Sequence, residues 1–194
     1  MKIPVKLYNG QVLPKFINQG DWIDIYTTSD VIFEEPVANT LKRTRTNGTD
    51  ISTRNVEFKP RFVSLNMAMK LPDGYEAVIL PRSSTFKRYG CILVNSQGVI
   101  DNSFKGNNDI WGSMWLPTRS ATIPANKAFM QFRIQLSQRA SIWQKIKWIF
   151  STNKIEFIAV DDLNSQDRGG FGSSDENKKD NRLQNETKTE GNIV

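Results

Sequence analysis

Apolar residues recur at every second position in three stretches of this chain: Ile3, Val5 and Leu7; Val63, Leu65, Met67, Met69 and Leu71; and Met130, Phe132, Ile134 and Leu136. A period of two places one face of an extended segment against a core and the other in water, which a helix cannot do. Shorter candidates of the same kind are WIDIY (22–26), VIF (31–33), YEAVIL (75–80), CILVN (91–95) and IEFIAV (155–160), separated by turn signals such as Pro72-Asp73-Gly74. Many short strands and little helix predict an all-β domain, a sandwich or a barrel.

Three stretches depart from that pattern. Residues 38–57, ANTLKRTRTNGTDISTRNVE, are polar and rich in Thr, Asn and Arg, and are expected to form a mobile insertion or a long hairpin. Residues 140–150, ASIWQKIKWIF, carry Ile142, Ile146, Ile149 and Phe150 near helical spacing with Lys145 and Lys147 between them. That is the one credible helix, inside an insertion of about 138–154. A basic, Trp-bearing amphipathic helix can lie on a membrane surface, but such a stripe more often packs on its own protein, and self-packing is the expectation here. Residues 175–194 are polar and mixed in charge and are read as a disordered tail. Hydrophobic residues make up 38% of the chain, below the compact-domain average, and the shortfall lies mostly in the tail and the 38–57 insertion.

The 194 residues include one cysteine, Cys91, and no histidine. Conventional Ser-His-Asp or Cys-His nucleophiles and His-containing zinc sites are therefore excluded within the chain. Chemistry is left to carboxylates, arginines, backbone N–H groups and a hard metal held through oxygen. The net charge of +6 draws polyanions without naming one, and gives no strong nucleic-acid signal. No apolar run approaches the roughly 18 residues that suggest a membrane span. Met1 to Gln11 alternates like a strand and not like a signal peptide, so a reducing cytoplasm is expected.

Five segments carry residue types that a strand scaffold does not need. In GDWIDI (20–25), Asp21 and Asp24 flank Trp22 and Ile23, which alone reads as a turn entering a strand. PRSST (81–85) ends an apolar run with a guanidinium, two hydroxyls and successive N–H groups, suited to phosphate oxygens and equally to a solvated turn. NSQGVIDNSFKG (95–106) frames one carboxylate, Asp101, with Gly98, Ile100 and Gly106; by itself it reads as a hairpin tip. Gln131 lies on the strand face opposite Met130 and Phe132. DRGGFGSS (167–174) combines an arginine, glycines, an aromatic and serines next to the tail.

In this order, the five segments resemble the five motifs of the trimeric dUTP pyrophosphatase (dUTPase) family, over about residues 3–174, and most of all the variant with PRSS found in phages and Gram-positive bacteria. The resemblance implies a jelly-roll-like β barrel over residues 1–160, a glycine-rich arm over 161–174 that closes the active site, and a homotrimer whose sites combine motifs of different chains. It implies Mg2+-assisted hydrolysis of dUTP to dUMP and pyrophosphate, by a water that Asp101 activates for attack on the α-phosphorus. Arg82, Ser83, Ser84, Arg168, Gly172, Ser173 and Ser174 then bind phosphates. Asn95, Gly98, Ile100, Phe104 and Phe171 hold the nucleoside, and Asp24 and Gln131 hold the metal through water. Two motifs depart from the family pattern: Phe104 replaces the usual tyrosine, and the last motif reads GSSD where GSTG is usual. The alternative is a regulatory or binding protein on this scaffold that meets a protein partner through its insertions or tail. A dCTP deaminase is disfavoured because Trp111 stands where that family has a glutamate.

Overall fold

The computed structural model describes residues 1–16, 20–150 and 155–170. Its elements are β1 (Lys2–Leu7), β2 (Ile23–Tyr26), β3 (Val31–Phe33), β4 (Val37–Ala38), β5 (Lys42–Thr46), β6 (Thr49–Thr53), β7 (Val56–Glu57), β8 (Arg61–Ser64), β9 (Met67–Met69), β10 (Tyr75–Pro81), α1 (Thr85–Tyr89), β11 (Cys91–Leu93), β12 (Gly98–Asp101), β13 (Gly112–Pro117), β14 (Ala121–Ile123), β15 (Ala128–Leu136), α2 (Ile142–Phe150) and β16 (Glu156–Ala159). The all-β expectation holds. The strands form a four-stranded sheet, β12-β10-β15-β2, two three-stranded sheets, β16-β1-β9 and β11-β13-β8, and three two-stranded ladders. These wrap one core as separate ladders; a single closed barrel is not formed among the described residues.

Alternation places Ile3 and Val5 of β1, Ile23 and Ile25 of β2, and Met130, Phe132 and Ile134 of β15 in the core. Its aromatic centre is Phe132, whose ring meets Trp111 edge-on at 5.4 Å and Phe157 at 5.9 Å. Such contacts add to area burial in holding sheets face to face. Cys91 is buried in the same cluster, and burial pushes its thiol pKa up to about 12.

The alternating run 63–71 is not one strand. Asn66 adopts a left-handed conformation, φ 52°, which Asn tolerates better than most residues. The chain turns a corner there, so β8 pairs with β13 and β9 with β1. Trp111 bridges the corner: its C=O accepts from Leu65 N–H and its N–H donates to Met67 C=O.

The 38–57 insertion is a long hairpin. Asn47 and Gly48, at φ 53° and 81°, form the two-residue turn between β5 and β6, a turn that needs positive φ at both positions. Both strands are exposed along their whole length.

The α2 helix corrects one expectation. It forms where the spacing predicts, but its apolar stripe does not pack on the protein: Ile142, Trp143, Ile149 and Phe150 are 64%, 75%, 72% and 83% exposed. The face turned inward is the one bearing Gln144, which donates to Asp73 C=O, and Trp148, whose ring lies 5.5 Å from that of Tyr75. Ser141 and Gln144 form a reciprocal cap at its start. No helix among the described residues is long and apolar enough to cross a membrane.

Replacing Phe132 by Ala removes the ring on which Trp111 and Phe157 pack, and is expected to destabilise the fold by about 3–5 kcal/mol. Denaturant unfolding of the variant beside the parent chain measures this.

Candidate active site

Two groups of the expected residues come together, at opposite ends of β10. The first lies at its C-terminal end. A bulge in β15 at Phe129, between the pairs Ala128–Tyr26 and Met130–Ile25, turns the Phe129 carbonyl toward the following loop. It accepts from Arg82 N–H at 3.0 Å and from the Thr85 hydroxyl at 2.6 Å. The loop is thereby fixed with Arg82 over β2, where its Nη1 lies 3.0 Å from Asp24 Oδ2. Gln131 is the direct cross-strand neighbour of Asp24, and its amide donates to Pro81 C=O at 3.4 Å. Ser83 is exposed and Ser84 half-buried. Ser84 occupies the N-cap of α1 without using its side chain as a cap.

The second group surrounds a cavity of about 270 Å³ lined by Asn95, Gln97, Gly98, Val99, Ile100, Asp101, Phe104, Gly112, Arg168, Gly169 and Gly170. Five of the residues expected to hold base, sugar or water (Asn95, Gly98, Ile100, Asp101 and Phe104) thus share one wall system. β12 is held in register on β10, with Gly98 opposite Ile79 and Asp101 opposite Glu76. Asp101 Oδ1 accepts from the Ser103 N–H at 2.8 Å and from the Ser103 hydroxyl. Oδ2 accepts from Arg168 Nη1 at 2.6 Å. Burial pushes the Asp101 carboxyl up, but the hydrogen bonds from Ser103 and the charge and hydrogen bond of Arg168 outweigh it and hold the group below the usual carboxylate range.

Asp101 faces Glu76 while Gln131 faces Leu80. Four residues of extended strand separate the two groups by about 13 Å. Arg168 therefore meets Asp101, and not the Arg82 loop. Phe171, Gly172, Ser173 and Ser174, expected in the closing arm, and the 175–194 tail lie outside the described residues. Trp111 is fully buried, so the position that would carry a deaminase glutamate belongs to the core.

Sequence reasoning missed what holds the root of the arm. The tetrad Gly106-Asn107-Asn108-Asp109 follows directly on the Asp101 hairpin and clamps residues 162–169. Asn107 donates to Asp162 Oδ1 at 2.9 Å and accepts from Leu163 N–H at 3.0 Å. Asn108 gives its backbone N–H and its side-chain amide to the two oxygens of Asp167, at 2.8 and 2.7 Å. Asp109, 1% exposed, accepts N–H bonds from Gly106 at 2.8 Å, Arg168 at 2.9 Å and Gly169 at 2.9 Å. A Cβ on Gly106 would lie 2.5 Å from the Asp167 Cα, so only glycine allows this approach. The available signal was an acid, Asp109, set immediately before the apolar Ile110-Trp111.

Among the described residues no cluster of three acidic or thiol groups could cage a metal. One carboxylate, Asp24, beside one carboxamide, Gln131, is instead a donor set suited to the water shell of a hard ion whose direct ligands are phosphate oxygens.

Asp109→Ala removes the acceptor of two arm-root N–H groups, worth about 1–3 kcal/mol. Amides of residues 163–169 are expected to exchange hydrogen about 10–100-fold faster in that variant. The Asp101 carboxyl titrates lower when held than when released, so its contribution to docking is complete above about pH 4 and is lost as pH falls through the lowered pKa. Arm-root protection, corrected for intrinsic exchange, should be level from pH 7 to about 5 and decline below about 4.

The dUTPase family profile matches residues 37–174. The SPbeta prophage-derived deoxyuridine 5'-triphosphate nucleotidohydrolase YosS of Bacillus subtilis is 36% identical over 175 residues, covering 90% of this chain and 98% of that protein. The deoxyuridine 5'-triphosphate nucleotidohydrolase of Hydrogenobaculum is 28% identical over 178 residues, 90% of this chain and 98% of its own. Among solved structures, the Staphylococcus bacteriophage 80alpha dUTPase has the same fold at 13% identity, with a TM-score of 0.52 over 72% of this chain and 93% of that one. The Streptococcus mutans dUTPase matches at 16% identity and a TM-score of 0.51, over 71% and 98%. With the family profile spanning well over half of its length, this chain is a member of the dUTPase family.

Proposed function

We propose that the protein hydrolyses dUTP to dUMP and pyrophosphate, with Asp101 as the base. The observation that carries this reading is the Asp101 cavity, in which one ionised carboxylate with a fixed rotamer faces a nucleoside-sized space. Ser103 holds Oδ1, leaving Oδ2 as the oxygen that takes a proton once Arg168 swings to the phosphates. A water placed at Oδ2 gives up that proton as its oxygen bonds to the α-phosphorus. The bond from the α-phosphorus to the bridging oxygen breaks, and pyrophosphate leaves with its electron pair.

Backbone groups of Gly98 and Ile100, with the Asn95 side chain, read the base edge, since a strand locked on β10 presents them at fixed spacing. Phe104 packs under the sugar; Gly170 lies close enough that a Cβ there would be 3.0 Å from the Phe104 ring, so the arm and the ring enclose the same space. Arg82, Ser83 and Ser84 bind the phosphates and offset the charge that grows on the leaving group. Phe171 stacks on the base, and Gly172, Ser173 and Ser174 close over the γ end. Asp24 and Gln131 orient the water shell of Mg2+, which when bound neutralises phosphate charge.

The two groups of residues lie about 13 Å apart along one strand, which supports a homotrimer in which the Arg82 group of one chain faces the Asp101 cavity of another. A substrate drawn from the nucleotide pool places the enzyme in the cytoplasm.

Pyrophosphate release from dUTP, dCTP, dTTP and UTP with magnesium tests the reading. Turnover confined to dUTP is expected, and release from none of them overturns it. Asp101→Asn should keep nucleotide affinity within a few-fold while turnover falls by about 100-fold or more. Because the Asp101 carboxyl lies low and the chain has no histidine, turnover should show no protonation loss of this base between pH 8 and about 5.5.

A further inference from the structure

We propose that α2 is a docking surface for an anionic lipid bilayer. At roughly 100° per residue, Ile142, Trp143, Ile146, Ile149 and Phe150 fall within one arc of about 120°. Gln144 and Trp148 occupy the opposite side, and these two hold the helix on the Asp73–Tyr75 turn. The apolar arc therefore points away from the protein: Ile142, Trp143, Ile149 and Phe150 are the four most exposed large hydrophobic residues among the described residues, and Ile146 in the middle of the arc is 38% exposed. Lys145 and Lys147, both exposed, flank the arc on its two sides at equal angular distance. Residues 139–154 contain Arg139, Lys145, Lys147 and Lys154 and no acid.

An apolar stripe carrying Trp and Phe, bordered on both sides by lysines, matches a helix lying in the plane of a bilayer interface. The rings and isoleucines enter the acyl boundary, while the lysine stems reach back to anionic headgroups. The anchoring is on the polar side, so lipid binding requires no unfolding or rotation of the helix. A second copy of this face is a poorer occupant. It would bring lysines against lysines and supply no carboxylate to either. Three exposed isoleucines likewise have no role against a phosphate backbone.

The test is sedimentation of the full chain with vesicles of phosphatidylcholine alone or mixed with phosphatidylglycerol, beside two double variants, Ile149→Ser/Phe150→Ser and Lys145→Glu/Lys147→Glu. The expected result is binding to the anionic vesicles, reduced at least about fivefold by either double variant, with turnover of dUTP and lipid-free molecular mass unchanged. Failure of the parent chain to bind the anionic vesicles overturns the proposal. So does binding by either variant that equals that of the parent chain. A change of lipid-free mass in Ile149→Ser/Phe150→Ser also overturns it, by assigning the face to a contact between copies of this chain.

Discussion

Both groups of candidate site residues are referenced to one strand, β10, which is hydrogen-bonded along both edges. On one edge β12 pairs from Gly98 to Asp101, and on the other β15 pairs from Met130 to Leu136. A strand paired on both sides cannot slip by one residue without breaking register with both neighbours and turning its own side chains to the opposite face. Ala77 and Ile79 lie in the core, so such a slip would move apolar groups into water on β10 itself. The register that puts Asp101 opposite Glu76 and Gln131 opposite Leu80 is thus a by-product of core burial. The positions of the two site groups follow from it.

The polar groups added to this frame solve two different problems. Asp109 is a carboxylate with almost no contact with water, and a buried anion is tolerable only with donors around it. Backbone N–H groups of Gly106, Arg168 and Gly169 supply them, so the charge is used to hold two distant segments together. Asp101 and Arg168 are each about half exposed, and their ion pair is screened and separable. The contrast suits their places: a firm root for the arm, and a looser contact at the carboxylate proposed as the base.

The strands were legible because burial on one face writes a period of two into the sequence. Where the alternating run 63–71 turned out to be two strands, the deciding residue was Asn66, whose left-handed backbone does not interrupt the hydrophobic pattern. The residues around Asp101 were legible from their resemblance to a known motif, and the structure gathers them at one cavity. Asp109 was not legible, since an isolated acid among Asn107, Asn108 and Ile110 looks like turn chemistry until its partners, about 60 positions away, are placed beside it. The outward orientation of α2 could not be read either. Helical spacing reports that a stripe exists, and the direction it faces is set by Gln144 and Trp148 meeting a turn that is distant in sequence.

The burial of Cys91 has a practical side. A thiol whose pKa stands near 12, 2% exposed in the hydrophobic core, carries almost no thiolate at neutral pH and is closed to oxidants and alkylating reagents. The folded protein is in effect thiol-silent. A single cysteine introduced on the 42–53 hairpin would be the unique reactive handle of the native chain, so a dye or spin label could be attached there without first removing the native residue.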